Sequence, residues 1–256
     1  MRYFLGQHLP LLLLLLIGFS SFAYSVTCPY TPWDKTAIVQ QINDGDTITL
    51  SGGQRVRFIG INTPEINYRH LHKSAPYALQ AKALIEKYVR IGDPVHLVFD
   101  NTKRDKYGRL LAYVYSKTGR NLSILQLQSG FAKQWVIGDN DRFWQCQQQA
   151  EKQARLANKG IWAEFEPLLA AKLTKKDKGY QYIRGEISAV KLNQKGLRLT
   201  LGNRLTIWIS VHHLSRFSAQ KMTFNQGDKL LVTGKVFLSR DQLKMNIYHP
   251  VQVLNE

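Results

Sequence analysis

Between residues 36 and 115, apolar and polar positions alternate in short runs. Thr36 to Ile42, Thr47 to Leu50 and Gln54 to Ile61 carry the period of β-strands, with Ser51-Gly52-Gly53 as a turn between the last two. Pro94 to Phe99 and Arg109 to Tyr115 repeat that pattern. Helical spacing replaces it where Ser74 and Pro76 open a segment running to about Val89, with Leu79, Ala83, Leu84 and Tyr88 at helical intervals. Asn121 caps a second helix closed by Gly130, and Asp141 begins a third that ends near Asn158-Lys159-Gly160. Five strands with interposed helices predict an α+β fold, a small β-barrel with helices against it.

The alternation returns after residue 180. Tyr182 to Val190, Leu197 to Leu201, Leu205 to Ser210, Lys229 to Phe237 and Leu243 to Tyr248 are separated by Gly and Asn, with no long amphipathic helix among them. Five strands in about 80 residues make a second small β domain of OB-fold size. Between the two, Pro167 to Gly179 passes from Leu-Leu-Ala-Ala to Lys-Lys-Asp-Lys-Gly, and its charged end reads as a linker. The expected organisation is an N-terminal segment over 26–35, a first domain over 36–166, a linker over 167–179 and a second domain over 180–256.

Residues 1–25 read as a signal peptide. Arg2 is the only charge, Leu11 to Ile17 is unbroken apolar, and Ala23-Tyr24-Ser25 supplies small residues for cleavage. The apolar stretch from Leu9 to Val26 is almost long enough to anchor in a bilayer, but the cleavage site favours removal. The mature chain is then expected to be secreted or periplasmic, without stable membrane insertion, since no later segment is apolar enough to span.

Charge sharpens this picture. The formal net charge is +17, and residues 170–256 hold 15 Lys/Arg against 5 Asp/Glu, whereas residues 26–169 hold 19 against 13. Such an excess on an exported chain suits a polyanion, nucleic acid before anionic lipid or glycan. The two cysteines, Cys28 and Cys146, lie 118 residues apart, which matches no zinc-ligand spacing. A disulfide and a pair of buried thiols are the two readings.

Three blocks carry candidate chemistry: Asp44-Gly45-Asp46-Thr47, the stretch from Arg57 to Thr63-Pro64-Glu65, and Asp105-Lys106-Tyr107-Gly108-Arg109. Phosphodiester cleavage with a hard cation needs oxygen ligands, a carboxylate to activate water, and fixed cations for the developing charge. Each block alone reads as an ordinary turn or ion pair. Strand alternation puts Arg57, Ile59 and Ile61 on one face and Phe58 on the other, so Arg57 interrupts an apolar face and needs an anionic partner, Glu65 or a phosphate. Pro64 cannot join a ladder, which lets Glu65 project over the barrel mouth.

Together the blocks resemble the thermonuclease family, the staphylococcal nuclease-like domain. The likeness extends through Ser129-Gly130-Phe131-Ala132-Lys133 to Asn158-Lys159-Gly160-Ile161-Trp162 and covers roughly residues 36–166. It implies an OB-type five-stranded barrel with three helices and a sugar-nonspecific nuclease acting on DNA and/or RNA, giving 3′-phosphate ends. Asp46, Asn62 and the main-chain carbonyl of Thr63 would hold Ca²⁺. Glu65 would be the general base, Arg57 and Arg109 would clamp the transition-state phosphate, and Lys106 and Tyr107 would touch a terminal phosphate. Two departures stand out: Asn62 occupies a position the family usually fills with Asp, and Val136 to Gly138 lacks the aromatic pair that covers a base, with Trp135 as a replacement.

More loosely, the second domain resembles OB-fold nucleic-acid-binding modules, through Gly185-Glu186-Ile187, Val232-Thr233-Gly234-Lys235-Val236 and Tyr248-His249-Pro250. Arg184, Lys191, Lys195, Arg198 and Arg204, with Tyr180, Tyr182 and Trp208 among them, would offer charge and stacking surfaces to a single strand. His212-His213 reads as a surface pair. The alternative to a nuclease is a nucleic-acid- or polyanion-binding protein with weak or lost catalysis. An envelope structural protein has no residue-level support, and nothing in the sequence sets an oligomeric state.

Overall fold

A computed structural model describes residues 28–29, 31–136 and 138–254; the expected leader, residues 1–25, lies outside them. The first half runs β1 (Lys35–Ile42), β2 (Thr47–Leu50), β3 (Arg55–Phe58), β4 (Gly60–Asn62), α1 (Ala78–Tyr88), β5 (Pro94–Val98), β6 (Leu110–Ser116), α2 (Leu122–Gln128), β7 (Lys133–Trp135) and α3 (Trp144–Leu156). Strands β1, β2, β3, β6 and β5 close into a barrel, with β5 returning to β1. Val39, Ile48, Val56, Leu97 and Val114 fill it, and α1 and α2 pack Ile85, Leu122 and Leu127 against the same core.

The expected strand Gln54 to Ile61 is broken at Ile59. Gly60 adopts φ +85°, and a Cβ there would meet the Gln147 amide at 2.1 Å. The chain bends out of the barrel, and β4 pairs antiparallel with β7 instead. Strand alternation therefore fails here: Phe58 and Ile61 join the main core, while Ile59 packs with Val98, Leu111, Tyr113 and Phe143 in a second cluster.

Helix α1 also differs from its expected form. It begins at Ala78, after Tyr77 in the left-handed region at φ +68°, and the Ser74 hydroxyl accepts the Asn67 N–H instead of capping it. Its buried stripe is Ala78, Ala81 and Ile85, and Leu79 is exposed. Cys28 and Cys146 form a disulfide with Cα atoms 5.4 Å apart, tying the start of the described chain to α3.

The second half runs β8 (Leu168–Leu169), β9 (Gly179–Asn193), β10 (Gly196–Leu201), β11 (Leu205–Ser210), α4 (Val211–Ala219), β12 (Lys229–Ser239), β13 (Gln242–Asn246) and β14 (Val253–Leu254). β9, β10, β11, β13 and β12 form a circuit that closes where β12 pairs with the first half of the long β9. This is a second five-stranded barrel-like unit, with its own core around Ile183, Leu199, Ile207, Val232 and Met245. The segment read as a linker is built into it: Leu168 and Leu169 pair with Ile183 and Arg184, and Ala170 and Leu173 are buried in the second core. Only the charged stretch after Leu173 lies outside that packing.

The barrels are docked rather than merely joined. Arg216 of α4 donates to Asp139 at 2.8 Å, and His249 Nε2 lies 3.3 Å from Asp141 Oδ2. Gln145 and Gln148 of α3 donate to Gln220 and to the Val253 carbonyl.

Candidate active site and nucleic-acid interface

Asp46 is the hub of the first block. Its Oδ2 accepts from the Thr63 N–H and hydroxyl, each at 2.9 Å, and sits 3.0 Å from Arg57 Nη2. Arg57 also donates to the Asn62 side-chain oxygen and to the Phe58 carbonyl, both at 2.9 Å. Asp46, Arg57 and Thr63 are buried, with Asn62 exposed beside them. The guanidinium is thus fixed by three acceptors and still has N–H groups to spare for a phosphate. Its anionic partner is Asp46, not Glu65.

The turn feeding this hub is cramped. A Cβ on Gly45 would lie 2.6 Å from that of Ala81, and the buried Gln126 amide donates to both the Gly45 and Ala81 carbonyls at 2.7 Å. Asp44 Oδ1 accepts the Asp46 N–H. Burial first, and the Asp46 charge second, push the Asp44 carboxyl up to about 6.

The donors gathered here, two carboxylates with the Asn62 amide and the Thr63 carbonyl, are all oxygens, the class a hard cation takes. Arg57 offsets one of the two adjacent carboxylates, and a cation would offset the repulsion that remains between them, so these residues fit one. Among the described residues no three His, Cys, Asp or Glu side chains form a metal cluster, so amide and main-chain oxygens would have to complete the set. Asn62 Oδ1 already accepts from Arg57 and has a second lone pair left.

Among the described residues, the remaining predicted ones make no hydrogen bond or ion pair with the hub. Glu65 is exposed, and no described residue pairs with its carboxylate. It borders an open groove of about 550 Å³ with Tyr68, Arg69 and Lys73. β6 runs parallel to β3 with Leu111 opposite Arg57, which puts Arg109 at the head of the neighbouring strand. Arg109 Nε donates to Asp105 at 2.7 Å, and the Arg109 guanidinium also lies 5.6 Å from the Tyr107 ring centroid. Lys106 lies 5.0 Å from that same ring, which is 72% exposed and so open to a ligand.

Residues that no motif flagged position these groups. Gln126 anchors the Asp44–Asp46 turn, while Ser123 and Gln147 donate to the Ile59 carbonyl at the bend before β4. For Ser123 and Gln126 the sequence signal is a polar residue on a largely apolar helix face, whereas Gln147 shares its buried face with Glu151.

The aromatic and basic residues of the second half divide into two groups. Lys191, Arg198 and Trp208 are cross-strand partners on β9, β10 and β11, and Arg198 lies 5.9 Å from the Trp208 ring. Tyr180 and Tyr182 instead face the first barrel. Tyr180 packs on Trp135 with centroids 4.5 Å apart, and Lys133 sits 4.6 Å from the Tyr182 ring.

The profile described as Staphylococcal nuclease homologue matches residues 55–164. Thermonuclease of Staphylococcus intermedius is 34% identical over 132 residues, covering 50% of this chain and 76% of that protein. Thermonuclease of Staphylococcus hyicus is 31% identical over 134 residues, with 51% and 77% covered. Endonuclease YhcR of Bacillus subtilis (strain 168) is 28% identical over 151 residues, but the match spans only 12% of that longer protein. The closed barrel, the matched span and the coverage of both thermonucleases agree: the chain belongs to the staphylococcal nuclease homologue family and carries its nuclease-type hydrolase domain.

Proposed function

We propose that the protein is an exported, Ca²⁺-dependent nuclease that hydrolyses phosphodiester bonds of DNA, RNA or both without reading the sugar, leaving 3′-phosphate ends. The observation that carries this reading is the buried Arg57 guanidinium, held by Asp46 and Asn62 with donors still free. Calcium held by Asp46, Asn62 and the Thr63 carbonyl, with Asp44 beside them, would supply Lewis-acid stabilisation of a phosphate oxygen. Glu65, exposed and unpaired among the described residues, takes a proton from the attacking water. Arg57 and Arg109 bind the phosphate oxygens as charge builds on phosphorus, and because both are pre-held by carboxylates they reorganise little. Lys106 and Tyr107 meet a terminal phosphate.

Export is supported by the leader-like residues 1–25 and by the Cys28–Cys146 disulfide, since such bonds persist in oxidising compartments. No helix among the described residues is long and apolar enough to cross a membrane. Asn62 favours a second reading, a barrel that grips polyanions and cleaves them weakly, because its amide brings no charge to the cation site. Incubating the mature protein with single-stranded DNA and RNA separates the two. Cleavage in calcium that stops with chelator is expected; binding without cleavage in both conditions supports the second reading.

A further inference from the structure

The docked barrels enclose a cleft of about 960 Å³, near the upper end of the range of small-molecule sites. One wall comes from β7 and the segment after α3, with Lys133, Trp135 and Phe165; the other comes from the second barrel, with Tyr180, Tyr182 and Tyr248. Tyr180 is 53% exposed and Tyr248 52%, so aromatic surface is left for a further ring to contact. Gln134 also lines the cleft, and its Oε1 is buried without a hydrogen-bond partner.

The cleft opens toward the candidate active site. Asn62, which accepts from Arg57, lines it, and Asn62 and Lys133 also border a smaller cavity of about 390 Å³ beside Thr63, Pro64 and Tyr77. Its charge pattern is selective. Asp139 and Arg216 offset one another as an ion pair, which leaves Glu164 and Glu166 against Lys133 along the walls. A phosphate entering here meets carboxylates, with Lys133 its main cation. A neutral aromatic ring meets stacking faces, and its exocyclic amines meet acceptors.

We propose that this cleft is a nucleobase subsite for a single strand. What is new is the second barrel's face: a base, or two adjacent ones, is held against Tyr180, beside the Trp135 that the family likeness already assigns to base covering, while the phosphodiester chain passes Lys133 and Asn62 toward Arg57. The second barrel thus completes the substrate path instead of binding nucleic acid on its outer face alone. The nuclease reading supplies the strand's destination; base capture itself is a separate claim.

The test uses the full mature chain in chelator, with fluorescence anisotropy of a short labelled single strand and of an abasic strand of the same length. Tyr180→Ala should weaken binding of the normal strand roughly 5- to 100-fold, the cost of removing one stacking ring. It should leave the abasic strand as it was, and Tyr180→Phe should restore wild-type affinity. With calcium, the loss should appear in KM. Wild-type affinity of Tyr180→Ala for the normal strand, with unchanged thermal unfolding as the control, overturns the subsite. So does equal weakening on both strands. If the wild type binds the strand yet never cleaves it, the nuclease reading fails while the anisotropy comparison still decides the subsite.

Discussion

Arg57 and Asp46 form a 3.0 Å ion pair in which both side chains are less than a tenth exposed, 7% and 8%. A pair so desolvated adds little net stability, but removing one member leaves a buried charge alone. The pair therefore reads as a device for holding a guanidinium at a fixed point, and it has two roles that two substitutions can tell apart.

Arg57→Lys should keep a cation beside Asp46 but lose the fork that also reaches Asn62 and the Phe58 carbonyl. Activity is expected to fall on the order of 10²-fold, the loss typical of one transition-state donor. Arg57→Ala should additionally lower unfolding stability by about 3–5 kcal/mol. Urea melts and kcat for both variants check this; a near wild-type kcat in Arg57→Lys would mean that Arg57 is structural only.

Asn62→Asp restores a charge at the proposed cation site. The calcium concentration for half-maximal activity should fall, since ligand charge sets affinity in such sites. A titration midpoint that stays put or rises would show that the Asn62 oxygen serves Arg57 alone.

At Gly60, φ +85° strains any side chain, and the Gln147 amide that donates to the Ile59 carbonyl would have to move to admit one. Gly60→Ala should cost on the order of 2–4 kcal/mol, through strain and through disruption of the bend that launches β4. An unchanged denaturant midpoint would mean that the bend relaxes freely.

Most strands were legible because their alternation is driven by burial on one face, and the three motif blocks because phosphate chemistry restricts residue type. What escaped depends on partners distant in sequence. The break at Ile59 is enforced by Gln147 and the register of β4 with β7, and the anchoring of the Asp44–Asp46 turn depends on Gln126 of α2. Tyr180 and Tyr182 looked like part of an open binding face with Trp208, yet docking of the barrels turns them toward Trp135 and Lys133. Leu168 to Leu173 looked like connector because its two-residue strand has no period of its own to detect.

On the outer face of the second barrel, Lys191, Arg198 and Trp208 form a cross-strand row suited to phosphates and bases. The double variant Lys191→Ala with Arg198→Ala should bind single strands more weakly. Its slope of log affinity against log salt should be shallower by about 1 for each phosphate no longer neutralised. An unchanged slope would place the strand elsewhere on the surface.

The most direct measurement of the proposed chemistry is the cleavage rate of Glu65→Gln against wild type on saturating single-stranded DNA in calcium. Glu65 is exposed and its carboxylate is unpaired among the described residues, so the amide should leave the fold and thermal unfolding as they are. If Glu65 is the general base, kcat should fall by on the order of 10² or more, the contribution of a positioned base. A variant that cleaves at close to the wild-type rate would contradict that role.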